Sequence, residues 1–183
     1  MDVLYKLEKI GNLSLALGFF DGIHLGHQAV INNTVLVAKH SNIKSAVITF
    51  NKSPKYVFDN NVKTIITNDI KIKLISRLNI DYLFFLDFNK LRHLSAIDYI
   101  KLLVEYFSPF AITTGFNYSF GYQKSGNTEL LSNMSSMYNY HYFEIGAVKY
   151  NNTVVSSTLI RKLIEYKQYK EAELLLGHHC YNL

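Results

Sequence analysis

The sequence is poor in several kinds of residue, and each shortage excludes a class of protein. One cysteine, Cys180, leaves no internal disulfide framework and is typical of a reducing compartment. No stretch approaches the ~18 consecutive apolar residues of a membrane span, and the N-terminus lacks a secretory leader pattern. No run of five or more basic residues occurs. We therefore expect a soluble, cytoplasmic protein that binds neither membranes nor nucleic acid.

The bulk composition is that of a folded globular protein with a basic surface. Hydrophobic residues make up 49% of the 183 residues, which is enough for a substantial core in one domain. The net charge is +5 and the isoelectric point is near 9.1. This bias suits an anionic partner, and a phosphorylated small molecule satisfies it as well as a polyanion does.

The stretch from Leu15 to His27, L-A-L-G-F-F-D-G-I-H-L-G-H, predicts a strand, a tight turn and a helix. Its apolar run breaks at Gly18, two aromatic residues follow, and Asp21-Gly22 is a strong turn signal. From about Leu25, apolar residues recur at helical spacing. The pattern places two histidines where the helix begins.

His24 and His27 are three positions apart, so both imidazoles could point at one anion. A helix N-terminus presents free N–H groups to phosphate, and Gly26 lets a ligand approach the backbone. The pair thus suits stabilisation of charge on a phosphoryl group, with the histidines as hydrogen-bond donors. The alternative is two surface histidines at a helix start. A metal site is less favoured, because no further well-spaced ligands accompany them.

The remaining hydrophobic runs predict a mostly parallel sheet of five strands. A second β-branched run after the first helix completes a βαβ unit, which implies parallel strands and a right-handed crossover. Val3 to Ile10 alternates loosely and could add an edge strand. The runs after the first are Ser45–Phe50, Tyr82–Leu86, Ala111–Thr114 and Tyr140–Ile145.

A second candidate phosphate site lies between Val154 and Arg161, V-V-S-S-T-L-I-R. Ser156, Ser157 and Thr158 can each cap a helix, and Arg161 follows about one turn later. Helix N–H groups, hydroxyls and a guanidinium together form a phosphate cradle. By itself, the serine and threonine run is more typical of an ordinary helix cap.

The segment from Gly115 to Asn127, G-F-N-Y-S-F-G-Y-Q-K-S-G-N, is rich in glycine, aromatic and amide residues. Aromatic faces can stack on a planar ligand, and amides can bind ring edges. The other interpretation is an aromatic-rich loop with no ligand.

Three motifs resemble those of the bacterial FAD synthetases, the bifunctional riboflavin kinase/FMN adenylyltransferases of the H-x-G-H nucleotidyltransferase superfamily. They are G-F-F-D-G-I-H-L-G-H-Q (residues 18–28), S-S-T-L-I-R (156–161) and E-A-E-L-L-L-G (171–177). The resemblance implies a three-layer α/β/α sandwich with a Rossmann-like sheet. It also implies that residues 1–183 are the FMN adenylyltransferase domain without the riboflavin kinase module, either as a stand-alone enzyme or cut at the domain boundary.

The resemblance implies transfer of the adenylyl group of ATP to FMN, giving FAD and pyrophosphate. His24 and His27 would contact the ATP phosphates, and Arg161, with Ser157 and Thr158, would hold the departing pyrophosphate. Mg²⁺ is expected from the chemistry; Asp21 is the nearest candidate ligand, although a turn role is favoured. The full set that the resemblance assigns to the nucleotide is Gly18, Phe19, Phe20, Asp21, His24, Gly26, His27, Ser156, Ser157, Thr158 and Arg161.

The flavin side departs from the family pattern. Where the family has Asp-Pro-His-Pro, this chain has Asn51, Lys52, Ser53 and Pro54, so the usual carboxylate and imidazole are missing. The resemblance assigns flavin contacts to Asn51, Phe58, Asn117 and Phe120. For Phe58, an ordinary core position is the alternative.

Two other functions remain open from the sequence. The same two motifs serve adenylyl or cytidylyl transfer to other phosphorylated acceptors. The altered loop after Phe50 would also fit a flavin- or nucleotide-binding protein that has lost turnover, although retention of both histidines and Arg161 argues against it.

Overall fold

A parallel sheet of six strands forms the centre of the computed structural model, which describes residues 1–52 and 64–180. The α/β class is confirmed, and all the pairings within this sheet are parallel. The sixth strand, beyond the five predicted, is a three-residue edge strand that ends at Leu4 rather than Ile10. The strands are β1 (Asp2–Leu4), β2 (Leu13–Leu17), β3 (Lys44–Phe50), β4 (Tyr82–Leu86), β5 (Ala111–Gly115), β6 (Ser119–Phe120), β7 (Gly126–Asn127), β8 (His141–Ile145), β9 (Lys149–Tyr150) and β10 (Thr153–Val154); β6 with β7 and β9 with β10 form small separate ribbons.

The helices begin and end at side chains that suit their termini. Ser95, just before the fourth helix, accepts from the Asp98 N–H at 3.1 Å. Thr67 caps the second helix in the same way, by accepting from the Ile70 N–H. The helices are α1 (Leu25–His40), α2 (Asn68–Ser76), α3 (Phe88–Leu91), α4 (Ala96–Phe107), α5 (Thr128–Tyr138), α6 (Ser157–Glu165) and α7 (Tyr169–Leu176). Within residues 1–52 and 64–180, none is long and apolar enough to cross a membrane.

Two hydrophobic cores, one on each face of the sheet, make the fold a three-layer sandwich. Because side chains alternate along a strand, Leu15 and Leu17 enter one core while Ala16 enters the other. The first core joins the sheet to α1, α2, α6 and α7. The second joins it to α4 and α5. The predicted layering is therefore confirmed.

The strand order is β1-β4-β3-β2-β5-β8, and it reverses direction between β2 and β5. The chain first moves outward through β3 and β4, then crosses back to place β5 on the other side of β2. In open parallel sheets, the crevice beyond the carboxyl ends of strands at such a reversal is the usual ligand site. The loop that carries the histidines leaves β2 at this point.

Candidate active site

The loop between β2 and α1 holds an unusual backbone conformation. Phe20 and Ile23 have φ angles of 52° and 42°, and Gly22 has 89°. Positive φ is costly for a β-branched residue, so the surrounding structure must impose it. Both side chains are buried, with 2% of Phe20 and 1% of Ile23 exposed. A side chain at Gly18 would also collide with the Phe20 ring, 2.9 Å from a Cβ there.

His24 and His27 are brought face to face at the start of α1. His24 is the N-cap residue, and the His27 N–H donates to its Nδ1 at 3.2 Å. The two imidazoles stack with ring centroids 3.6 Å apart, and the Phe20 ring meets His27 edge-on. Gly26 leaves room for this stack, since a Cβ there would lie 3.2 Å from the His24 ring. The structure thus brings the two histidines together; that both face one anion stays a prediction.

Both histidines are neutral near pH 7. Burial lowers the pKa of His24 to about 4; its backbone hydrogen bond opposes this, and the Arg161 cation adds to it. Burial also lowers the pKa of His27 well below 6.5, with further lowering by His24, Lys71 and Arg161. Because Nδ1 of His24 accepts a hydrogen bond, we assign its proton to Nε2. A neutral Nε2–H is a donor suited to a phosphate oxygen.

Asp21 connects the two predicted phosphate motifs. Its carboxylate accepts from Nη2 of Arg161 at 2.6 Å and from the Ile65 N–H at 2.8 Å. Its backbone carbonyl accepts from Oγ of Ser157 at 2.9 Å. The side chain of Asp21 is 3% exposed, so these bonds are shielded from water. Thus the N-termini of α1 and α6 lie together, although 140 positions separate Asp21 from Arg161.

The hydroxyls of the second motif have different roles. Ser156 caps α6 by accepting from the Leu159 N–H, and Ser157 is bound to Asp21. Thr158 is exposed and makes no hydrogen bond to another described residue, so it is available to a ligand. Nε of Arg161 is buried without a partner in the described part of the chain. The guanidinium is thus tethered to Asp21 through Nη2, and 26% of the Arg161 side chain is exposed.

The residues predicted for the flavin are partly placed at the same edge. Asn51 and Asn117 are exposed, just beyond the ends of β3 and β5, the two neighbours of β2. Phe120 is different: it is 7% exposed and packs on Tyr99 and Tyr118 in the second core. This burial favours a supporting role over direct stacking. Phe58 and Ser53 lie outside the described residues.

Several residues that hold the site were not identified from the sequence. Lys71 of α2 is buried, and its Nζ donates to the Phe19 carbonyl at 2.7 Å. Nε2 of Gln28 bridges the carbonyls of Ile23 and Leu176, and Nε2 of His178 lies 2.8 Å from the Gly22 carbonyl. None carries a local signal, because each acts on a segment distant in sequence.

No group of three or more histidine, cysteine, aspartate or glutamate side chains could hold a metal within the described ranges. Asp21, the predicted nearest carboxylate, is already bound to Arg161 and Ile65. These residues therefore do not form a resident Mg²⁺ site.

Residues 7–159 match the sequence model of the family described as FAD synthetase. The chain belongs to the FAD synthetase family. A FAD synthetase relative from Buchnera aphidicola (Schizaphis graminum), named bifunctional riboflavin kinase/FMN adenylyltransferase, is 34% identical over 180 residues. That alignment covers 95% of this chain and 58% of the relative. A protein of Listeria monocytogenes named FAD synthetase is 25% identical, over 91% of this chain and 69% of its own length.

The FAD synthetase fold also matches solved structures. A crystal structure titled macrolide-efflux protein from Streptococcus pneumoniae has a TM-score of 0.84 and 26% identity, covering 96% of this chain and 60% of that one. A pantothenate synthetase from Thermus thermophilus has a TM-score of 0.52 at 13% identity, which is a likeness of fold alone.

Proposed function

We propose that this chain transfers the adenylyl group of ATP to FMN, giving FAD and pyrophosphate. An oxygen of the FMN phosphate attacks the α-phosphorus of ATP. The bond from that phosphorus to the bridging oxygen breaks, and this oxygen leaves with pyrophosphate. Such a transfer needs in-line positioning and charge stabilisation rather than a covalent enzyme intermediate.

The observation that carries the proposal is the junction at Asp21. Asp21 binds Ser157 and Arg161 of α6, and it lies in the loop that ends at the stacked imidazoles of His24 and His27 at the start of α1. Two helix N-termini, two neutral imidazoles and a guanidinium are thereby brought together. We assign the ATP phosphates to His24 and His27 of the first motif, whose Nε2–H groups would donate to oxygens that gain charge in the transition state. We assign the departing pyrophosphate to Thr158 and the untethered edge of Arg161.

We infer that Mg²⁺ enters as the ATP complex. This ion keeps most of its water and is often held through substrate phosphates plus one or two carboxylates. Two observations support this route: the described residues hold no group of three or more His, Cys, Asp or Glu side chains that could bind a metal, and the Asp21 carboxylate is already bound to Arg161 and Ile65.

On the acceptor side, we assign the flavin to the region between Asn51 and Asn117. Their exposure beyond the strands that flank β2 supports this assignment. Phe58 is retained as a proposed contact. Phe120 would hold the loop that presents Asn117. We also infer that residues 1–183 form the adenylyltransferase unit and act in the cytoplasm, to which the single cysteine is suited.

The first test is to incubate the purified protein with FMN, ATP and Mg²⁺ and follow FAD and pyrophosphate by chromatography. Formation of both in equal amounts is expected. The decisive variant is His27→Ala, which should reduce turnover by roughly 10²–10³ while ATP affinity changes only a few-fold. His40→Ala, at the exposed far end of the same helix, is the control. Near-normal turnover in H27A would contradict the role given to His27.

A further inference from the structure

Lys71 is the one lysine among the buried residues of the described ranges, with 1% of its surface exposed. Its ammonium donates to the Phe19 carbonyl at 2.7 Å. It also lies 4.1 Å from the centroid of the Phe19 ring and 5.9 Å from that of Phe85. Lysine is almost never fully buried unless it is paired, because removing its charge from water is costly. The burial of this ammonium therefore calls for a structural or functional reason at the Phe19 loop.

The Phe19 carbonyl receives a second hydrogen bond, from a neutral donor. Oγ1 of Thr49, itself buried, donates to the same oxygen at 2.9 Å. Both donors fix the peptide that leads into the strained turn at Phe20. Lys71 and Thr49 both hold the carbonyl, but of the two only Lys71 also carries a positive charge.

The charges around the loop favour a cationic Lys71. Burial lowers the pKa of Lys71 to about 8, and the nearby Asp21 carboxylate opposes that change, so the ammonium keeps its proton at neutral pH. The groups that act on His27 are His24 from its own loop, Lys71 from α2 and Arg161 from α6. Arg161 is compensated by its bond to Asp21. Within the described part of the chain, the Lys71 ammonium contacts the Phe19 carbonyl and the ring faces of Phe19 and Phe85.

We propose that Lys71 is a positioning residue of this site, which fixes the Phe19 peptide and supplies a positive charge to the loop that leads to His27. The role in turnover rests on the function proposed above; the electrostatic role does not. The charge has two effects of the same origin. It adds to burial and to His24 in lowering the pKa of His27, and it favours negative charge that develops on a phosphoryl group at the site.

Three variants separate the charge from the hydrogen bond. Lys71→Met removes both, Lys71→Arg keeps a charge, and Thr49→Val removes only the other hydrogen bond to the Phe19 carbonyl. The histidine rings are followed by NMR as pH is lowered, with the His27 signal assigned from its loss in H27A. Turnover and the KM for ATP are measured in parallel with FMN as acceptor.

In K71M, the His27 ring should take up its proton at a pH higher by a few tenths to about one unit, the size of one nearby charge. Turnover should fall about 10-fold, with a smaller change in the KM for ATP. K71R should titrate like the natural protein, and T49V should leave the His27 titration unchanged. An unchanged His27 titration in K71M, with no greater loss of turnover than in T49V, would overturn the proposal.

A measurement on the natural protein covers the case in which K71M does not fold. NMR of the Lys71 side chain should show loss of its proton near pH 8. A midpoint below pH 7 would leave a neutral amine near His27 at neutral pH and overturn the proposal. If the protein forms no FAD, the proposed function fails by itself, because both NMR titrations are independent of activity.

Discussion

Asp21 gives the sharpest test of how the site is built, because one carboxylate joins both phosphate motifs. Asp21→Asn keeps the shape of the side chain but removes its charge. It also replaces an accepting oxygen with an NH₂ group that must face either Arg161 or the Ile65 N–H, both donors. Breaking a buried pair costs about 3–5 kcal/mol. Since the Arg161 side chain is 26% exposed, water offsets part of this, and we expect about 2–3 kcal/mol.

The change in unfolding free energy is measured by urea titration with circular dichroism. For a chain of this length, the expected cost lowers the melting temperature by roughly 5–10 °C. Turnover should fall by about 10² in the same variant, because Arg161 loses its tether. The control is Glu105→Gln, which removes the exposed ion pair between Lys9 and Glu105 at 3.1 Å. We expect that variant to change stability by less than about 1 kcal/mol.

The result that would refute this reasoning is D21N behaving like E105Q in both assays. Asp21 would then be only a turn residue, as its Asp-Gly pattern favours, and the two motifs would be held together by other contacts. If D21N lost stability but kept its turnover, only one claim would be refuted, namely that turnover depends on the tether between Asp21 and Arg161.

Three further predictions test the site and its supports. Because the pKa of His24 is about 4 in the fold and near 6.5 in the unfolded chain, the unfolding free energy should fall as pH drops from 6.5 to 4. H24N, which keeps a capping side chain without titrating there, should reduce that dependence in urea titrations at both pH values and leave the part due to His27. Gly121→Ala should lower the unfolding free energy by about 2–3 kcal/mol, because φ is 73° there and a Cβ would lie 2.8 Å from the Ala96 backbone. Gly146→Ala is the control: its Cβ would meet nothing within 4 Å, and the unfolding free energy should change little. F120A should lower the unfolding free energy by about 3–5 kcal/mol. Asn117→Ala should leave stability unchanged and weaken FMN binding in a fluorescence titration. If F120A weakened only FMN binding and N117A lowered only stability, the roles given to the two residues would be wrong.

The central strands and the first phosphate motif could be predicted because their signals are local. Apolar runs of five to seven residues define β2 and β3, and the glycines around the histidines mark the turn and helix start. Strand β1 has only three residues, too few for a periodic pattern, and its place comes from pairing with β4. Local signals thus predict elements well and their edges less well.

The supports of the site could not be predicted because they depend on distant segments. Lys71 lies between two isoleucines and looks like the polar face of a helix; only the folded Phe19 loop makes it a buried donor. Asp21 gives a turn signal, while its main partner is 140 positions away. Phe120 was predicted to contact a ligand, but it lies in the core. An aromatic residue in a loop can face either, and the sequence alone does not distinguish the two.

The span between Asp21 and Arg161 has a consequence for how the protein is made. During synthesis, the histidine loop leaves the ribosome long before α6, so early chains contain half of the phosphate crevice without the other half. Docking of α6 and α7 is a late, long-range event of the kind that slows folding. The crevice is therefore completed only when most of the described chain has folded, and immature chains should not trap nucleotide. In the mature protein, ATP should slow amide hydrogen exchange at the start of α6 more than in β1 and β4, at one edge of the sheet.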